Sequence, residues 1–458
     1  IRINILLLLL CIFIPGVAQN VSDGWNKNRT ARLNKPVFVY NNWSAYDELS
    51  DNIPLDEALA MKELDHIVRL KKLGVQVDYY MMDAFWFDVN EGYRKWRPDC
   101  WPEGPKRWLD ACKREGIKPG LWFSTNLLRI GGEANTMKII PEWESSVAED
   151  GTTLCLFRGG YLHHLMQTLQ MYADMGIKMF KFDFAYFDAA TPDAKCTMLP
   201  TDIEEQNKNA FISAIKEFRY RNPDVLFIGY NGFGGDMENT VTPFRKTVDL
   251  RWLEIFDTMY CGDPRLSDVP MMNFWRSQDL YSDHMTFQYL FNGVPVRRID
   301  NCAFMIGTTG TCYNRALNAW KGMMILTMAR GGWLNVCHGN IDLLSDDDAR
   351  WMAKVQQLYM KVQQYGSISA FGAIPGKALP YGYMASTEGG KLYTVVNASQ
   401  EKAKVMLPEA TGTGRVLFTD SGFMPVLEKN IVELGPEQMV VVGYGKFSTR
   451  EYDCLLYT

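Results

Sequence analysis

Strand-like and helix-like stretches alternate along most of the chain, from residue 35 to about residue 366. Short runs rich in β-branched and aromatic residues are each followed by a longer run with apolar residues at helical spacing. Strands that are separated by helices pair in parallel, because a parallel connection needs a crossover of a dozen or more residues. The alternation therefore predicts an α/β domain built on a parallel sheet.

Eight strand-like runs can be counted in this part of the chain. They lie at residues 36–40, 77–82, 117–123, 177–184, 225–230, 255–261, 298–305 and 333–337. Eight strands with intervening helices predict a (β/α)8 TIM barrel over residues 20–366. A doubly wound open sheet is the alternative, but no glycine-rich phosphate loop follows any of the strands, which disfavours a nucleotide-binding fold.

The sequence pattern changes after residue 366. Glycine, proline and threonine become frequent, and short alternating runs appear at residues 392–396, 405–407, 416–418 and 439–442. Short strands of this kind, separated by turn residues, are typical of antiparallel sheets. Residues 367–458 are therefore predicted to form a small C-terminal β-sandwich.

The first residues resemble a secretory signal peptide. Arg2 precedes an apolar run at residues 5–14, and Gly16-Val17-Ala18 offers a small-residue cleavage site. Residues 1–19 are predicted to be removed, which indicates a secreted or periplasmic protein. No later segment has an apolar run of membrane length, so no transmembrane anchor is expected after signal removal.

The amino-acid composition narrows the classes of molecule that the protein is expected to bind. The net charge is −5, the pI is near 5.7, and no block of lysine and arginine occurs, so a nucleic-acid partner is not expected. The chain has 13 Trp, 22 Tyr and 24 Phe, and aromatic faces pack against sugar rings as well as filling large cores. The sequence contains no H-E-x-x-H motif and no G-x-S-x-G nucleophile elbow.

Acidic and aromatic residues fall at the predicted strand ends, where a (β/α)8 barrel carries its chemistry. The polar candidates are Asp83, Asp183 and Asp263 at the ends of the second, fourth and sixth strands, Asn231 after the fifth, and Asp300 on the seventh. The aromatic candidates at the ends of the first three strands are Trp43, Trp86 and Trp122. Acids and indoles with few basic groups suit a neutral polyol, and glycoside hydrolysis commonly uses two opposed carboxylates.

Asp183 is the most informative of these acids. It lies in the apolar run 177–184, and Lys181, two residues earlier, projects from the same side of the strand. A carboxylate on a buried strand is costly unless it is paired or used. The two interpretations are a catalytic carboxylate and a structural Lys181–Asp183 ion pair that closes the strand end.

Several motifs resemble those of a known clan. Phe180-Lys181-Phe182-Asp183 resembles a K-x-D strand, Gly120-Leu121-Trp122-Phe123 resembles a G-L-W-F third strand, and residues 315–332 followed by Leu343-Leu344-Ser345 resemble a closing helix and eighth strand. The chain thus resembles the α-galactosidase-like clan of glycoside hydrolases, family 36 most of all, with families 27 and 31 as relatives. The resemblance implies that Asp183 is the nucleophile.

Two features depart from the family pattern. The second strand of the family usually ends in D-D-G-W, whose paired aspartates hold galactose hydroxyls, whereas this chain has Asp83-Ala84-Phe85-Trp86. The Cys- and Gly-rich fifth-strand signature is replaced by a segment that begins Tyr230-Asn231-Gly232. Loss of one charged acceptor can shift selectivity between hexoses.

Two residues are candidates for the acid/base. Tyr260-Cys261-Gly262-Asp263 fits the family 36 pattern W-T-S-D at the end of the sixth strand. The segment from Trp275 and Arg276 to Asp279 resembles the W-R…D-I segment of family 27, which makes Asp279 the alternative and Arg276 a candidate substrate-binding residue. Counting eight strands favours Asp263.

The resemblance implies a retaining, exo-acting α-glycosidase with two catalytic aspartates, acting on an oligosaccharide or polysaccharide. In this interpretation sugar contacts come from Asp83, Lys181, Asn231, Asp300 and the candidate tryptophans. No metal or organic cofactor is implied. The alternatives are an α-glucosidase or α-N-acetylgalactosaminidase of the same clan, a transglycosylase, and a non-catalytic carbohydrate-binding barrel.

Overall fold

The computed structural model describes residues 32–43, 55–84, 86–130, 135–233, 248–262, 274–306, 320–420 and 422–455. Eight parallel strands close into a barrel in chain order, so the predicted (β/α)8 fold is confirmed. The barrel strands are Val37–Asn41 (β1), Tyr79–Met82 (β2), Lys118–Ser124 (β3), Met179–Asp183 (β4), Leu226–Gly229 (β5), Thr258–Tyr260 (β6), Ile299–Ile306 (β7) and Leu334–Gly339 (β8).

Helices surround the barrel. Within the described residues they are Glu57–Lys72 (α1), Lys106–Arg114 (α2), Tyr161–Asp174 (α3), Pro192–Thr197 (α4), Pro200–Arg221 (α5), Phe274–Leu280 (α6), Ser282–Phe291 (α7), Trp320–Ala329 (α8) and Asp346–Tyr365 (α9). Helix α9 begins with a capping box between Ser345 and Asp348.

Side-chain alternation along β4 separates the barrel interior from the surrounding helices. Phe180 and Phe182 belong to the core between strands and helices, whereas Met179 belongs to the cluster inside the barrel. Because successive side chains on a strand point to opposite faces, Lys181 and Asp183 point into the barrel. All five residues of β4 are buried.

Helix α1 covers the outer face of β1 and β2. Asp56 caps its first turn by accepting a hydrogen bond from the Leu59 backbone nitrogen at 2.7 Å. The buried side of the helix carries Ala60, Leu64 and Ile67, and Glu63 lies on the same side. A fully buried glutamate on an apolar helix face needs hydrogen-bond partners to be tolerated.

The C-terminal residues form two antiparallel sheets, which confirms the predicted β-domain. The strands are Ser367–Gly372 (β9), Tyr381–Thr387 (β10), Gly390–Asn397 (β11), Ala403–Met406 (β12), Arg415–Thr419 (β13), Val426–Glu428 (β14), Ile431–Leu434 (β15) and Gln438–Gly445 (β16). The five-stranded sheet has the order β13-β16-β11-β10-β9, and the three-stranded sheet has the order β12-β15-β14. Val405, Val432 and Val440 contribute to the core that they share.

In the part of the chain that the structure describes, no helix has the length and apolar character needed to cross a membrane. The predicted signal peptide, residues 1–19, lies outside the described residues. Export of the protein therefore stays a prediction.

Candidate active site

The carboxyl ends of neighbouring barrel strands bring several predicted residues together. Asp183 is the last residue of β4 and pairs in register with Ser124 of β3. Asp83 directly follows β2, and Asn231 lies two residues beyond β5. With Lys181 of β4, these polar side chains lie at the end of the barrel where this fold places its active sites.

Four donors surround the Asp183 carboxylate. Oδ1 accepts hydrogen bonds from the Asn231 side-chain amide at 2.9 Å, the Asn231 backbone nitrogen at 3.1 Å and the Phe184 backbone nitrogen at 2.9 Å. Oδ2 accepts from Trp122 Nε1 at 3.2 Å. The residue remains 7% exposed. The carboxylate is thus fixed in orientation by neutral donors, and part of the residue still faces solvent.

Lys181 forms its ion pair with Asp83, which lies two strands away in the barrel. Its Nζ lies 2.8 Å from Asp83 Oδ2, and the two residues are 4% and 3% exposed. The same Nζ lies 4.0 Å from the centroid of the Tyr230 ring, within the range of a cation–π contact. The ion pair observed here therefore joins β4 to the end of β2, in place of the Lys181–Asp183 strand-end pair considered from the sequence.

Burial raises the pKa of the Asp183 carboxyl above its ordinary value. The charge of Lys181 and the hydrogen bonds from Trp122 and Asn231 act in the opposite direction, while the charge of Asp83 adds to the increase. A nucleophilic carboxylate must be ionised, so this balance sets the acidic limit of any activity that depends on Asp183.

His338 is a site residue that the sequence analysis missed. It lies on β8, is 1% exposed, and its ring centroid is 5.7 Å from that of Trp43, with the rings nearly perpendicular. Burial, together with the charge of Lys181, lowers the pKa of the imidazole to about 3, so the ring is neutral near pH 7. His338 directly follows the predicted eighth strand, and this position at a strand end could have identified it as a site residue.

The candidate tryptophans occupy different environments. Trp122 donates to Asp183, and Trp43 contacts His338. Trp86 is fully buried, packs in a tilted arrangement 4.8 Å from the Trp96 ring, and donates its indole N–H to the Trp122 carbonyl oxygen at 3.0 Å. Trp86 therefore packs in the aromatic core, and its predicted role in sugar binding is wrong.

We expect the Trp122→Phe and Trp86→Phe substitutions to have different consequences. Trp122→Phe removes a hydrogen bond to a charged group, and such a bond contributes about 1.5–3 kcal/mol. Losing that energy in the transition state corresponds to a roughly 10- to 100-fold lower kcat/KM. Trp86→Phe should instead lower the free energy of unfolding by about 1–3 kcal/mol with little change in kcat. Steady-state kinetics and thermal unfolding of both variants check this, and a larger kinetic effect at Trp86 would contradict the assignment.

Asp300 does not lie at the carboxyl ends of the strands. It is the second residue of β7 and pairs in register with Tyr260 and with Leu334, the first residue of β8. His338 lies four residues further along β8, which corresponds to roughly 13 Å of strand. Asp300 is fully buried, so its predicted contact with a sugar is wrong.

Asp279 is bound to the C-terminal β-domain. Its Oδ1 accepts from the Gly376 backbone nitrogen at 2.7 Å, and its Oδ2 accepts from the Ala378 backbone nitrogen at 3.0 Å and pairs with Arg276. The residue is fully buried, and burial raises the pKa of its carboxyl. Both oxygens are thus occupied by the loop between β9 and β10, so neither Asp279 nor Arg276 is placed as the family 27 resemblance implied.

Asp283 is also buried between the domains. It accepts hydrogen bonds from Tyr381 and Tyr383 of β10, each at 2.5 Å, and from Arg330 Nε at 2.6 Å. The barrel and the β-domain are therefore joined by a buried polar network. Asp263, the preferred acid/base candidate, lies outside the described residues.

Comparison with known proteins agrees with the motif resemblance. No family model matches the chain. Among curated proteins, the α-galactosidase Mel36A of Lactobacillus acidophilus is 26% identical over 220 residues, which is 44% of this chain and 28% of that protein. The chain is similar to the family 36 α-galactosidases.

Solved structures show the same likeness at the level of the fold. A variant of the family 36 α-galactosidase AgaA of Geobacillus stearothermophilus, in complex with 1-deoxygalactonojirimycin, has a TM-score of 0.60 and 14% identity, covering 93% of this chain and 58% of that one. The galactosidase domain of AgaSK has a TM-score of 0.63. A putative α-galactosidase of Bacteroides fragilis has a TM-score of 0.57 at 15% identity and is covered over 80% of its length. The chain thus spans little more than half of the AgaA chain.

Proposed function

We propose that this protein is a retaining α-galactosidase-like glycoside hydrolase. The observation that carries the proposal is the Asp183 carboxylate at the barrel mouth, held by four donors and adjacent to the Lys181–Asp83 ion pair. A carboxylate fixed in this way suits attack on an anomeric carbon, because little reorganisation is needed before reaction.

The proposed reaction has two displacements. Asp183 attacks the anomeric carbon and forms a covalent glycosyl-enzyme while Asp263 gives a proton to the leaving oxygen. Water then attacks the same carbon, Asp263 takes its proton, and Asp183 leaves as a carboxylate, so that the stereochemistry is retained. Retention calls for a separation of about 5–5.5 Å between the two carboxyl groups.

The sugar contacts come from residues around Asp183. Lys181 and Asp83 present charged groups that can hydrogen-bond sugar hydroxyls, Asn231 presents an amide, and Trp122 presents an indole beside the nucleophile. Two of the neighbouring AgaA structures contain raffinose and stachyose, so α-linked galactosides of oligosaccharides are the proposed substrates. Ala84 stands where the family has a second aspartate, so this chain offers one charged acceptor fewer to the sugar hydroxyls at that position.

A panel of nitrophenyl α- and β-hexosides tests the proposal. We expect release of nitrophenol from the α-galactoside in preference to the α-glucoside and the N-acetyl-α-galactosaminide, and none from the β-anomers. The anomer formed first, followed by NMR, should be α. Turnover of the α-glucoside alone would change the assigned sugar, products extended on an added acceptor sugar would indicate transglycosylation, and binding without turnover would indicate a carbohydrate-binding barrel.

A further inference from the structure

Glu63 is a fully buried carboxyl group behind the barrel wall, outside the site described above. It projects from α1 towards β1 and β2, where three donors meet it. The Tyr40 hydroxyl donates to Oε1 at 3.2 Å. Asn42 Nδ2 donates to Oε2 at 3.3 Å, and the Tyr80 hydroxyl also donates to Oε2. The carboxyl thus joins two adjacent strands near their carboxyl ends.

Asn42 connects Glu63 to the candidate active site. Its Oδ1 accepts the backbone N–H of Asp83 at 2.8 Å, while its Nδ2 donates to Glu63 Oε2 at 3.3 Å and to the thioether sulfur of Met82, a weak acceptor, at 3.2 Å. The N–H of Asp83 requires an oxygen, so the amide must present Oδ1 on one side and Nδ2 on the other. The Asp83 N–H on one side and the Glu63 oxygen, the stronger of the two acceptors on the other, therefore fix which way the Asn42 amide points.

Asp83 is held on its other side by the site itself. Its Oδ2 pairs with Lys181 at 2.8 Å, and its Oδ1 accepts the Ala84 backbone N–H at 2.9 Å. A continuous series of hydrogen bonds thus runs from Glu63 through Asn42 to Asp83 and Lys181. Each of these residues is nearly or completely buried, so solvent cannot replace a lost partner.

The protonation state of Glu63 fits this arrangement. Burial raises the pKa of the carboxyl, the three hydrogen bonds lower it and the charge of Asp342 raises it, and together these effects place the pKa at about 8. Near pH 7 the group is therefore a neutral acid. One of the two tyrosine hydroxyls can accept a hydrogen bond from the protonated carboxyl and donate its own hydrogen to a backbone carbonyl, because Tyr40 and Tyr80 have the carbonyl oxygens of Gly339 and Ala60 at 3.0 and 3.4 Å.

We propose that Glu63 is a positioning residue for substrate binding, which acts through Asn42 to hold Asp83 and its ion pair with Lys181 in place for the sugar. The proposal rests on the function proposed above for Asp83. When Glu63 is lost, the Asn42 amide can turn and the N–H of Asp83 loses its acceptor. Because Asp83 binds the sugar in both the ground state and the transition state, the loss should appear mainly in KM.

Two substitutions test this with p-nitrophenyl α-galactoside as the probe. Glu63→Leu should raise KM about tenfold, which is the effect expected from loss of about one hydrogen bond. Its kcat should change less than about threefold. Glu63→Gln should stay within about threefold of the wild-type KM, because its amide reproduces one acceptor and one donor of the neutral acid. Glu63→Leu should fold, since both tyrosine hydroxyls keep carbonyl partners, and thermal unfolding verifies this.

Matched variants separate positioning from a general effect on the core. Tyr40→Phe removes a donor to the same carboxyl while Asn42 stays bound, so KM should not change. Asn42→Ala should raise KM, and adding Glu63→Leu to it should raise KM no further, because coupled residues are non-additive. An unchanged KM in folded Glu63→Leu, or additive effects of the two substitutions, would overturn the proposal.

Failure of the proposed function gives a different result. If the wild-type protein hydrolyses no glycoside of the panel, the kinetic test has no signal, and crystal structures of Glu63→Leu and Glu63→Gln decide instead. We expect the Asn42 amide to turn and the Asp83 carboxylate to move in the first variant and not in the second. Unmoved Asp83 in both variants would overturn the positioning role without reference to activity.

Discussion

Asp183→Ala is expected to lower kcat/KM for p-nitrophenyl α-galactoside by on the order of 10⁴-fold or more, the scale of losing a catalytic nucleophile. Alanine has no oxygen to replace the carboxylate that the four donors hold in place. Without that carboxylate, no glycosyl-enzyme can form. Activity of Asp183→Ala close to that of the wild type would remove the nucleophile assignment.

Chemical rescue makes this result specific to the nucleophile. Added azide should restore turnover of a nitrophenyl substrate by Asp183→Gly and give a glycosyl azide of inverted, β configuration. Asp188→Ala is the matched control, because Asp188 is an exposed aspartate five residues further along the same segment. We expect its kcat/KM to stay within about twofold of the wild type, as is usual for a surface substitution.

Lys181→Met is expected to impair both stability and activity. Removing one partner of a buried ion pair leaves Asp83 uncompensated, which costs about 3–5 kcal/mol of the free energy of unfolding. Loss of a charge that organises the site should lower kcat/KM by on the order of 10²–10³-fold. Denaturant unfolding and steady-state kinetics measure the two effects.

The pH profile of the Lys181 variant carries a further expectation. The lysine charge favours ionised Asp183, so its removal raises the pKa of that carboxyl. The fall of kcat/KM at acid pH should therefore begin at a higher pH in Lys181→Met than in the wild type. If the fall of kcat/KM at acid pH begins at the same pH as in the wild type, or at a lower pH, Lys181 does not act on the nucleophile.

Lys178→Met is the matched control for Lys181. Lys178 pairs with Asp224 at 2.6 Å, and both side chains are partly exposed, at 32% and 63%. Because a solvent-exposed ion pair contributes only about 0–1 kcal/mol, this variant should keep its stability and its pH profile. The comparison separates loss of a lysine as such from loss of the buried charge beside Asp183.

Local pattern predicted much of the fold because strand and helix periodicity is a property of neighbouring residues. The run that became β4 identified a buried strand, and its end placed Asp183 at the barrel mouth. The same reasoning misplaced Asp300, because a residue on a strand can lie at either end of the barrel. Only the register with Leu334 shows that it lies near the amino end.

Aromatic and acidic residues were the least predictable part of the site. Trp86 and Trp122 both follow or end predicted strands, yet one fills the core and the other donates to Asp183. Glu63 gave a signal, as a charged residue on the apolar face of a helix, but its partners were not evident. A sequence pattern can show that a residue lies on the buried face of a helix or strand, but it does not show which side chains of other elements contact that residue.

The sequence by itself determined the order of strands and helices, the barrel followed by a β-domain, and the strand ends at which Asp83 and Asp183 lie. The tertiary structure alone decided that Lys181 pairs with Asp83, that Asp279 binds the β-domain, and that Glu63 reaches Asp83 through Asn42. The physical reason is distance along the chain, since Lys181 and its partner are 98 residues apart. Contacts of this range depend on strand register and barrel closure, which no local pattern encodes.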